Sequence, residues 1–173
     1  MTRDRERSDN GLRLILMRHA KSDWSNGSQS DHERPLNRRG KRDAPNMAGW
    51  LAECNLIPDL ILVSSSQRTR ETVGLMKEIW QTDPKIDYQE GLYHSSPEEI
   101  IAAVQSNPGE HQTVMVVAHN PGMTSLVSHF AGDFVEMPTA AIAIFQPTCE
   151  SWSDLRPDTS MQLVEHKRPK ELI

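Results

Sequence analysis

Four short segments of the chain are almost continuously apolar, which is the pattern of strands covered on both faces of a sheet. They lie at residues 12–17, 60–63, 113–118 and 140–145. Each has only four to six residues, a length typical of strands rather than of helices. The pattern therefore predicts four buried strands.

Between these segments, apolar residues recur with the spacing of an amphipathic helix. A repeat at i, i+3, i+4 and i+7 predicts a helix over 41–54, and a similar repeat predicts a second helix over 68–80. At 96–104, a serine is followed by proline and, three positions on, by glutamate, the pattern of a capping box. It predicts a third helix. The Asn-Pro pair at 120–121 predicts the start of a fourth.

Strands that alternate with helices at this spacing predict an α/β fold, a three-layer α/β/α sandwich with a mostly parallel central sheet. The chain has 173 residues, close to the usual size of one domain, and we assign 12–166 to a single domain. A disordered or solvated tail is predicted at 1–11, and a solvated tail at 167–173. The long polar loop at 22–39 is either a disordered connection or a functional flap.

Composition excludes several classes of protein. The formal charge of −5 and the pI near 5.8 argue against nucleic-acid binding by the surface as a whole. No aliphatic run is long enough to cross a membrane, and the N-terminal residues lack the apolar core of a secretory signal. Cys54 and Cys149 form no CxxC motif, which favours a cytoplasmic protein without disulfides or a zinc site.

Cationic residues follow three of the predicted strands. Arg18 and His19 follow the first strand, Arg68 comes shortly after the second, and His119 follows the third. Ligands of parallel sheets bind at the edge where the strands end, so these side chains are expected to share one pocket. Guanidinium groups bind phosphoryl oxygens, and the helix that starts after His119 adds N–H donors. The pattern predicts a phosphate-binding pocket.

The same pocket contains a candidate nucleophile. A neutral imidazole can attack phosphorus, and nearby guanidinium groups disfavour its protonated form, so His19 is the predicted nucleophile. Arg18, Arg68 and a protonated His119 are expected to stabilise the charge on the transferring phosphoryl group. The histidines show neither HxH nor HExxH spacing, and we predict no metal and no other cofactor.

Six motifs spread over residues 12–146 resemble those of the histidine phosphatase superfamily, which has the phosphoglycerate-mutase-like fold, and most closely its SixA-like phosphohistidine phosphatase branch. They are MRHAKSDW, RPLNRRGKRDA, SSSQRTRET, LYHSSPEEI, VVAHNPGM and MPTAAIAIF. The resemblance implies a covalent phosphohistidine intermediate on His19. It also implies that Arg18 and Arg68 hold the phosphate and that His119 stabilises charge.

Four further polar residues are candidates for substrate binding. The resemblance suggests that Asp31 and Arg34 line the approach of the substrate, although a surface ion pair would also explain them. Ser22 is a candidate contact at the start of the polar loop. Asn120 is another, but a role in capping the helix that follows is the simpler explanation.

The sequence also departs from the mutases and acid phosphatases of the superfamily. Those members have a glycine where this chain has Ala20, and a phosphate-binding asparagine where it has Ser25. Near the place of their acidic proton donor, this chain offers Glu90 and, four positions on, His94. Neither is a clear general acid. A weak or absent acid favours a leaving group that departs easily, such as the imidazole of phosphohistidine.

The sequence thus predicts a phosphatase that acts on phosphohistidine in a protein and releases inorganic phosphate. One alternative is a phosphatase for a small phosphorylated metabolite. Another is a non-catalytic module that binds phosphate and reads phosphorylated partners. A monomer is the working expectation for the oligomeric state.

Overall fold

The computed structural model describes residues 11–107 and 109–172. The strands of this part of the chain are β1 (Arg13–Arg18), β2 (Leu60–Ser64), β3 (Lys85–Gln89), β4 (Thr113–Ala118), β5 (Ile142–Pro147) and β6 (Met161–Lys167). The α-helices are α1 (Arg38–Glu53), α2 (Gln67–Ile79), α3 (Pro97–Gln105) and α4 (Gly122–Ala131). Short 3-10 helices lie at Asp31–Glu33, Glu90–Leu92, Trp152–Asp154 and Pro169–Leu172.

The strands form one sheet in the order β3-β2-β4-β1-β5-β6. The first four of these strands run parallel, whereas β5 and β6 each run antiparallel to the neighbour before them. Alternate residues of β1 point to opposite faces: Leu14 and Leu16 pack with α3 and α4, while Ile15 and Met17 pack with α1 and α2. Helices therefore cover both faces, and the predicted three-layer sandwich is confirmed.

Two strands at the edges of the sheet were missed by the sequence pattern. β3 and β6 are partly exposed along their length, and polar residues interrupt their apolar positions. Edge strands commonly carry such polar residues because one side of each faces solvent. The short, continuous apolar runs that revealed the inner strands are absent from them.

The C-terminal end also differs from the prediction. β6 continues to Lys167, and the 3-10 helix Pro169–Leu172 places Leu172 against the apolar cluster under α1 and α2. Residues of the predicted tail at 167–173 therefore take part in the fold. Of the other predicted tail, at 1–11, residues 1–10 lie outside the described residues.

The helix α1 begins earlier than the apolar repeat predicted. The Asn37 side chain accepts a hydrogen bond of 2.9 Å from the N–H of Gly40, which caps the helix and starts it in a polar first turn. A Cβ atom on Gly40 would lie 2.2 Å from the carbonyl oxygen of Lys21. The start of α1 is thus packed directly against the segment that leaves β1. No helix of the described residues is long and apolar enough to span a membrane.

Candidate active site

The parallel strands β1, β2 and β4 end at one edge of the sheet, and the predicted catalytic residues meet there. Arg18 and His19 lie at the end of β1, Arg68 lies in the first turn of α2, and His119 follows β4. The pocket at this edge is lined by Arg18, His19, Lys21, Ser22, Trp24, Asp31, Arg34, Arg68, His94, His119, Asn120 and Thr139. The predicted catalytic and substrate-binding residues all line it.

The His19 ring is held in one orientation. Its Nδ1 atom lies 2.7 Å from the carbonyl oxygen of Ala20. Because a carbonyl oxygen only accepts hydrogen bonds, Nδ1 carries the proton and the lone pair is left on Nε2. The N–H of Ala140 fixes the surrounding backbone by donating to the carbonyl oxygens of Arg18 and His19 at 3.1 and 2.9 Å.

The His19 ring is also neutral. Burial lowers its pKa to about 3, and the charges of Arg68, Arg18 and Arg34 act in the same direction, against the opposing effect of the Ala20 carbonyl. The ring therefore keeps a free lone pair on Nε2 at neutral pH. This is the state that nucleophilic attack on phosphorus needs.

Arg68 joins the parts of the pocket through its guanidinium group. Its Nε atom lies 3.4 Å from His19 Nε2, and its Nη2 atom lies 3.3 Å from Nδ1 of His119. Nη1 donates to the backbone oxygen of Asp31 at 2.7 Å, and Nη2 also donates to the Asp31 carboxylate at 3.1 Å. The side chain is almost fully buried. One guanidinium group thus touches both histidines.

His119 is held from its other side by Ser64, whose Oγ atom lies 2.7 Å from His119 Nε2. Burial lowers the pKa of His119 to about 2, and the neighbouring His19 and Arg68 add to this effect. The expectation of a protonated His119 therefore does not apply to the site as it stands. A bound phosphoryl dianion would act in the opposite direction and favour protonation.

Arg18 has an unsatisfied donor. Its Nη1 atom donates to the carbonyl oxygen of Met137 at 3.3 Å, but its buried Nε atom has no hydrogen-bond partner among the described residues. Burial, followed by the charge of Arg68, lowers the pKa of Arg18. A buried donor without a partner is costly. An anion bound in the pocket would supply the missing acceptor.

Asp31 is the carboxylate of the pocket. Its Oδ1 atom accepts from Nε and Nη2 of Arg34, each at 3.1 Å, and its Oδ2 atom accepts from Arg68 and from the hydroxyl of Tyr93. Burial alone would raise the pKa of Asp31, but the bonds from Tyr93 and Arg68 outweigh it and hold the pKa well below its ordinary value. Asp31 is therefore ionised.

The loop at 22–39 is ordered by contacts within itself. Ser22 pairs with Leu36 as an isolated antiparallel bridge, and the Ser22 hydroxyl accepts a hydrogen bond of 2.7 Å from Nη1 of Arg34. The exposed ring of Trp24 lies over the Arg34 guanidinium at 3.3 Å. This arrangement favours the functional flap over the disordered connection.

Asn120 acts as a cap. Its Oδ1 atom accepts from the N–H and the hydroxyl of Thr124, at 3.0 and 2.9 Å, and its Nδ2 atom donates to the carbonyl oxygen of Met137. These bonds fix the start of α4 at the pocket. The capping explanation accounts for them without a bound substrate.

Sequence reasoning missed Tyr93, Thr139 and Ser64 as parts of the site. The Tyr93 ring meets that of His119 edge-on, with centroids 5.4 Å apart, and its hydroxyl binds a carboxylate 62 positions away in the sequence. No local pattern signals such a distant pair. Of the two uncertain acids, Glu90 is exposed and lies outside the pocket lining, whereas His94 lies within it, 3.5 Å from Asp31.

At the edge where the parallel strands end, two arginines and two neutral histidines form a pocket suited to binding a phosphoryl group. Residues 14–93 match the model of the histidine phosphatase superfamily (branch 1). The chain belongs to this superfamily. Among the residues that the structure describes, no group of three His, Cys, Asp or Glu side chains could hold a metal ion.

Similar proteins include both curated sequences and solved structures. An uncharacterized chloroplastic protein of Arabidopsis thaliana is 34% identical over 156 residues, which are 82% of this chain and 69% of the relative. The structure of a candidate phosphohistidine phosphatase SixA from Nakamurella multipartitia has a TM-score of 0.81 and 26% identity, covering 91% of this chain and 96% of that one. A SixA structure from Agrobacterium tumefaciens, also a candidate phosphohistidine phosphatase, has a TM-score of 0.78 and 26% identity, covering 91% and 98%. The fold is the phosphoglycerate-mutase-like fold of these neighbours.

Proposed function

We propose that this protein is a phosphatase that transfers the phosphoryl group of a protein phosphohistidine to His19 and then to water. The observation that carries the proposal is the state of His19. Its Nδ1 proton is committed to the Ala20 carbonyl, and its Nε2 lone pair lies at 3.4 Å from the Nε of Arg68. The nucleophilic atom therefore adjoins a guanidinium group that binds phosphoryl oxygens.

In the first step, Nε2 of His19 attacks phosphorus while the bond to the leaving group breaks. The electron pair of that bond remains on the leaving atom. Arg18 and Arg68 neutralise charge on the equatorial oxygens. The bound phosphate raises the pKa of His119, which takes up a proton from the solvent and then stabilises the same charge. In the second step, water attacks phosphorus and releases a proton to the solvent. The P–N bond breaks, its electron pair returns to Nε2 of the neutral His19, and inorganic phosphate leaves.

The preference for phosphohistidine follows from the acids that the pocket offers. Asp31 is ionised and is engaged by Arg34, Arg68 and Tyr93, so it is a poor proton donor for an alkoxide. The exposed Glu90 is not part of the lining. An imidazole leaving group needs less help, because a proton on its second nitrogen lets it depart as a neutral ring.

Two similarities support the same substrate. The neighbours from Nakamurella multipartitia and Agrobacterium tumefaciens, each 26% identical, are candidate phosphohistidine phosphatases. The arginine pair would also hold a phosphomonoester, so a small phosphorylated metabolite is the second candidate substrate. We further propose a cytoplasmic location, as the cysteine usage of the sequence predicts.

The test is a comparison of three substrates: a phosphohistidine peptide, the matching phosphoserine peptide and p-nitrophenyl phosphate. A chelator is present throughout, and His19→Ala is the control. The proposal predicts turnover that is selective for phosphohistidine and is lost in the variant. Hydrolysis of the phosphomonoesters alone would overturn the substrate. Tight phosphate binding without any turnover would instead favour the non-catalytic module.

A further inference from the structure

Positive charge is concentrated in the first turn of α1, although the chain as a whole has a formal charge of −5. Arg38 and Arg39 are exposed in this turn, which contains no acidic residue, and the exposed Arg42 follows at the start of the second turn. Cations near a helix N-terminus oppose the helix dipole. The helix dipole therefore does not explain these three arginines.

The arginines outnumber the carboxylates that they contact. The buried Asp43 carboxylate forms ion pairs with Arg39, whose Nε atom lies at 3.4 Å, and with Arg42, whose Nη2 atom lies at 3.0 Å. Arg38 has no ion-pair partner among the described residues. Together with Asn37, the three arginines line a shallow concave surface. This surface keeps a net positive charge that an anionic partner can use.

The concave surface is linked to the rim of the active site through contacts of the backbone. The segment that leaves β1 runs antiparallel beside the segment that enters α1, with the N–H of Asn37 donating to the carbonyl oxygen of Lys21 at 3.0 Å and Ser22 bridged to Leu36. Gly40 is packed on the Lys21 backbone, and Lys21 itself lines the pocket. The arginine surface is thus next to the active-site pocket in the fold.

An exposed aromatic ring lies at the other end of the same paired segments. Trp24 is 68% exposed, yet it also lines the pocket and is held in place over Arg34. A tryptophan of this exposure is not part of the core. Tryptophan and arginine are the residues most enriched where proteins bind one another tightly.

We propose that Lys21, Trp24, Arg38, Arg39 and Arg42 form a basic docking surface for an acidic face of the phosphorylated protein substrate. Guanidinium groups pair with carboxylates in a planar, two-bond geometry. Acidic residues beside the phosphohistidine would therefore steer that residue toward the pocket. The proposal rests on the proposed function, since it names the kind of protein that the same site takes.

The test measures binding separately from turnover. Two labelled peptides carry the same phosphohistidine, one with glutamates around it and one with lysines, and their Kd values are measured by fluorescence anisotropy on the full chain with His19→Ala, which stops turnover. The second protein adds Arg38→Glu. The matched control adds Lys85→Glu, which reverses one charge at the exposed start of β3, on the opposite edge of the sheet.

The proposal predicts that the glutamate peptide binds more tightly than the lysine peptide. Arg38→Glu should raise the Kd of the glutamate peptide by about threefold to tenfold, which is the size expected when one exposed charge contact becomes repulsive. Lys85→Glu should change its Kd by much less. Raising the salt concentration should reduce the difference between the peptides, because exposed charges are screened.

Equal affinities of the two peptides, or equal effects of Arg38→Glu and Lys85→Glu, would overturn the docking surface. A single-stranded oligonucleotide of the same charge is the third probe. If it binds more tightly than the glutamate peptide and depends on Arg38, the surface is a nucleic-acid site and the proposal is wrong. Failure of the proposed function would be recognised separately. In that case the protein with His19 intact would leave both peptides phosphorylated.

Discussion

The Nε atom of Arg68 lies 3.4 Å from Nε2 of His19, so a guanidinium group faces the lone pair of the neutral imidazole. A phosphoryl group that enters the pocket can accept this N–H and meet Nε2 at the same time. This geometry supports the proposal that Arg68 both binds the phosphate and places it for attack. The charge of Arg68 also helps to keep His19 unprotonated.

Replacing Arg68 by lysine keeps the charge but removes the planar fork. We expect kcat/KM to fall by about a hundredfold, which is the usual effect of losing one oriented donor to a transition-state oxyanion. Steady-state kinetics on the best substrate of the panel measures this. Arg70→Lys, two residues further along α2 and outside the pocket lining, is the matched control. Wild-type kinetics from Arg68→Lys would contradict the assigned role.

Oxyanions should stabilise the folded protein. Arg18 and Arg68 both line one pocket, and within the part of the chain that the structure describes the buried Nε of Arg18 has no acceptor. Vanadate at a hundred times its Kd should add about 2.7 kcal/mol to the free energy of unfolding, or about 5–10 °C in Tm for a chain of this size. Thermal melts with and without vanadate measure the shift. Arg18→Met should reduce it, and an unchanged Tm in the wild type would count against the phosphate site.

Asp31→Asn tests whether the negative charge of this carboxylate balances the positive charge of Arg68. The substitution removes the negative charge that contacts the buried Arg68, and we expect a loss of about 1–3 kcal/mol in the free energy of unfolding. Vanadate should raise the Tm of the variant by more than it raises that of the wild type, because the oxyanion replaces the lost charge. An equal vanadate shift in both proteins would show that Asp31 does not balance Arg68.

Stability should fall as the pH drops below about 6.5. An unfolded histidine has a pKa of about 6.5, whereas burial lowers the pKa of His19 to about 3 and that of His119 to about 2 in the folded protein. Between these values the unfolded chain binds protons that the folded chain does not, which favours unfolding.

From pH 7 to pH 5.5, each of these two histidines should lower the free energy of unfolding by about 1 kcal/mol. Urea unfolding at the two pH values measures the sum. In His119→Gln, the part of this decrease in the free energy of unfolding that comes from the two histidines should be about halved. A free energy of unfolding that does not change over this range would mean that His19 and His119 are not held in their neutral forms.

The inner strands and the positions of the candidate catalytic residues could be predicted from sequence because each has a local signal. β1, β2 and β4 each contain a continuous apolar run. Arg18 and His19 directly follow the run of β1, and His119 directly follows that of β4. The parallel topology then brings their ends together. The edge strands β3 and β6 have no such run.

The remaining parts of the site depend on contacts between distant residues. Tyr93 binds Asp31 across 62 positions, and Ser64 holds His119 across 55 positions. Tyr93 and Ser64 lie within the motifs LYHSSPEEI and SSSQRTRET, but these motifs do not indicate which distant residue each side chain contacts. The low pKa of His119 results mainly from its burial. This burial depends on the fold and has no signal in the local sequence.

The proposed mechanism places a covalent phosphoryl group on Nε2 of His19. Its most direct test is to mix the protein with a radiolabelled phosphohistidine peptide, quench within one turnover under alkaline conditions, and locate the label by peptide mapping. The account predicts a label on His19 that alkali preserves and acid releases, as expected for a P–N bond, and none on His19→Ala. A label on another residue, or full turnover by His19→Ala, would contradict it.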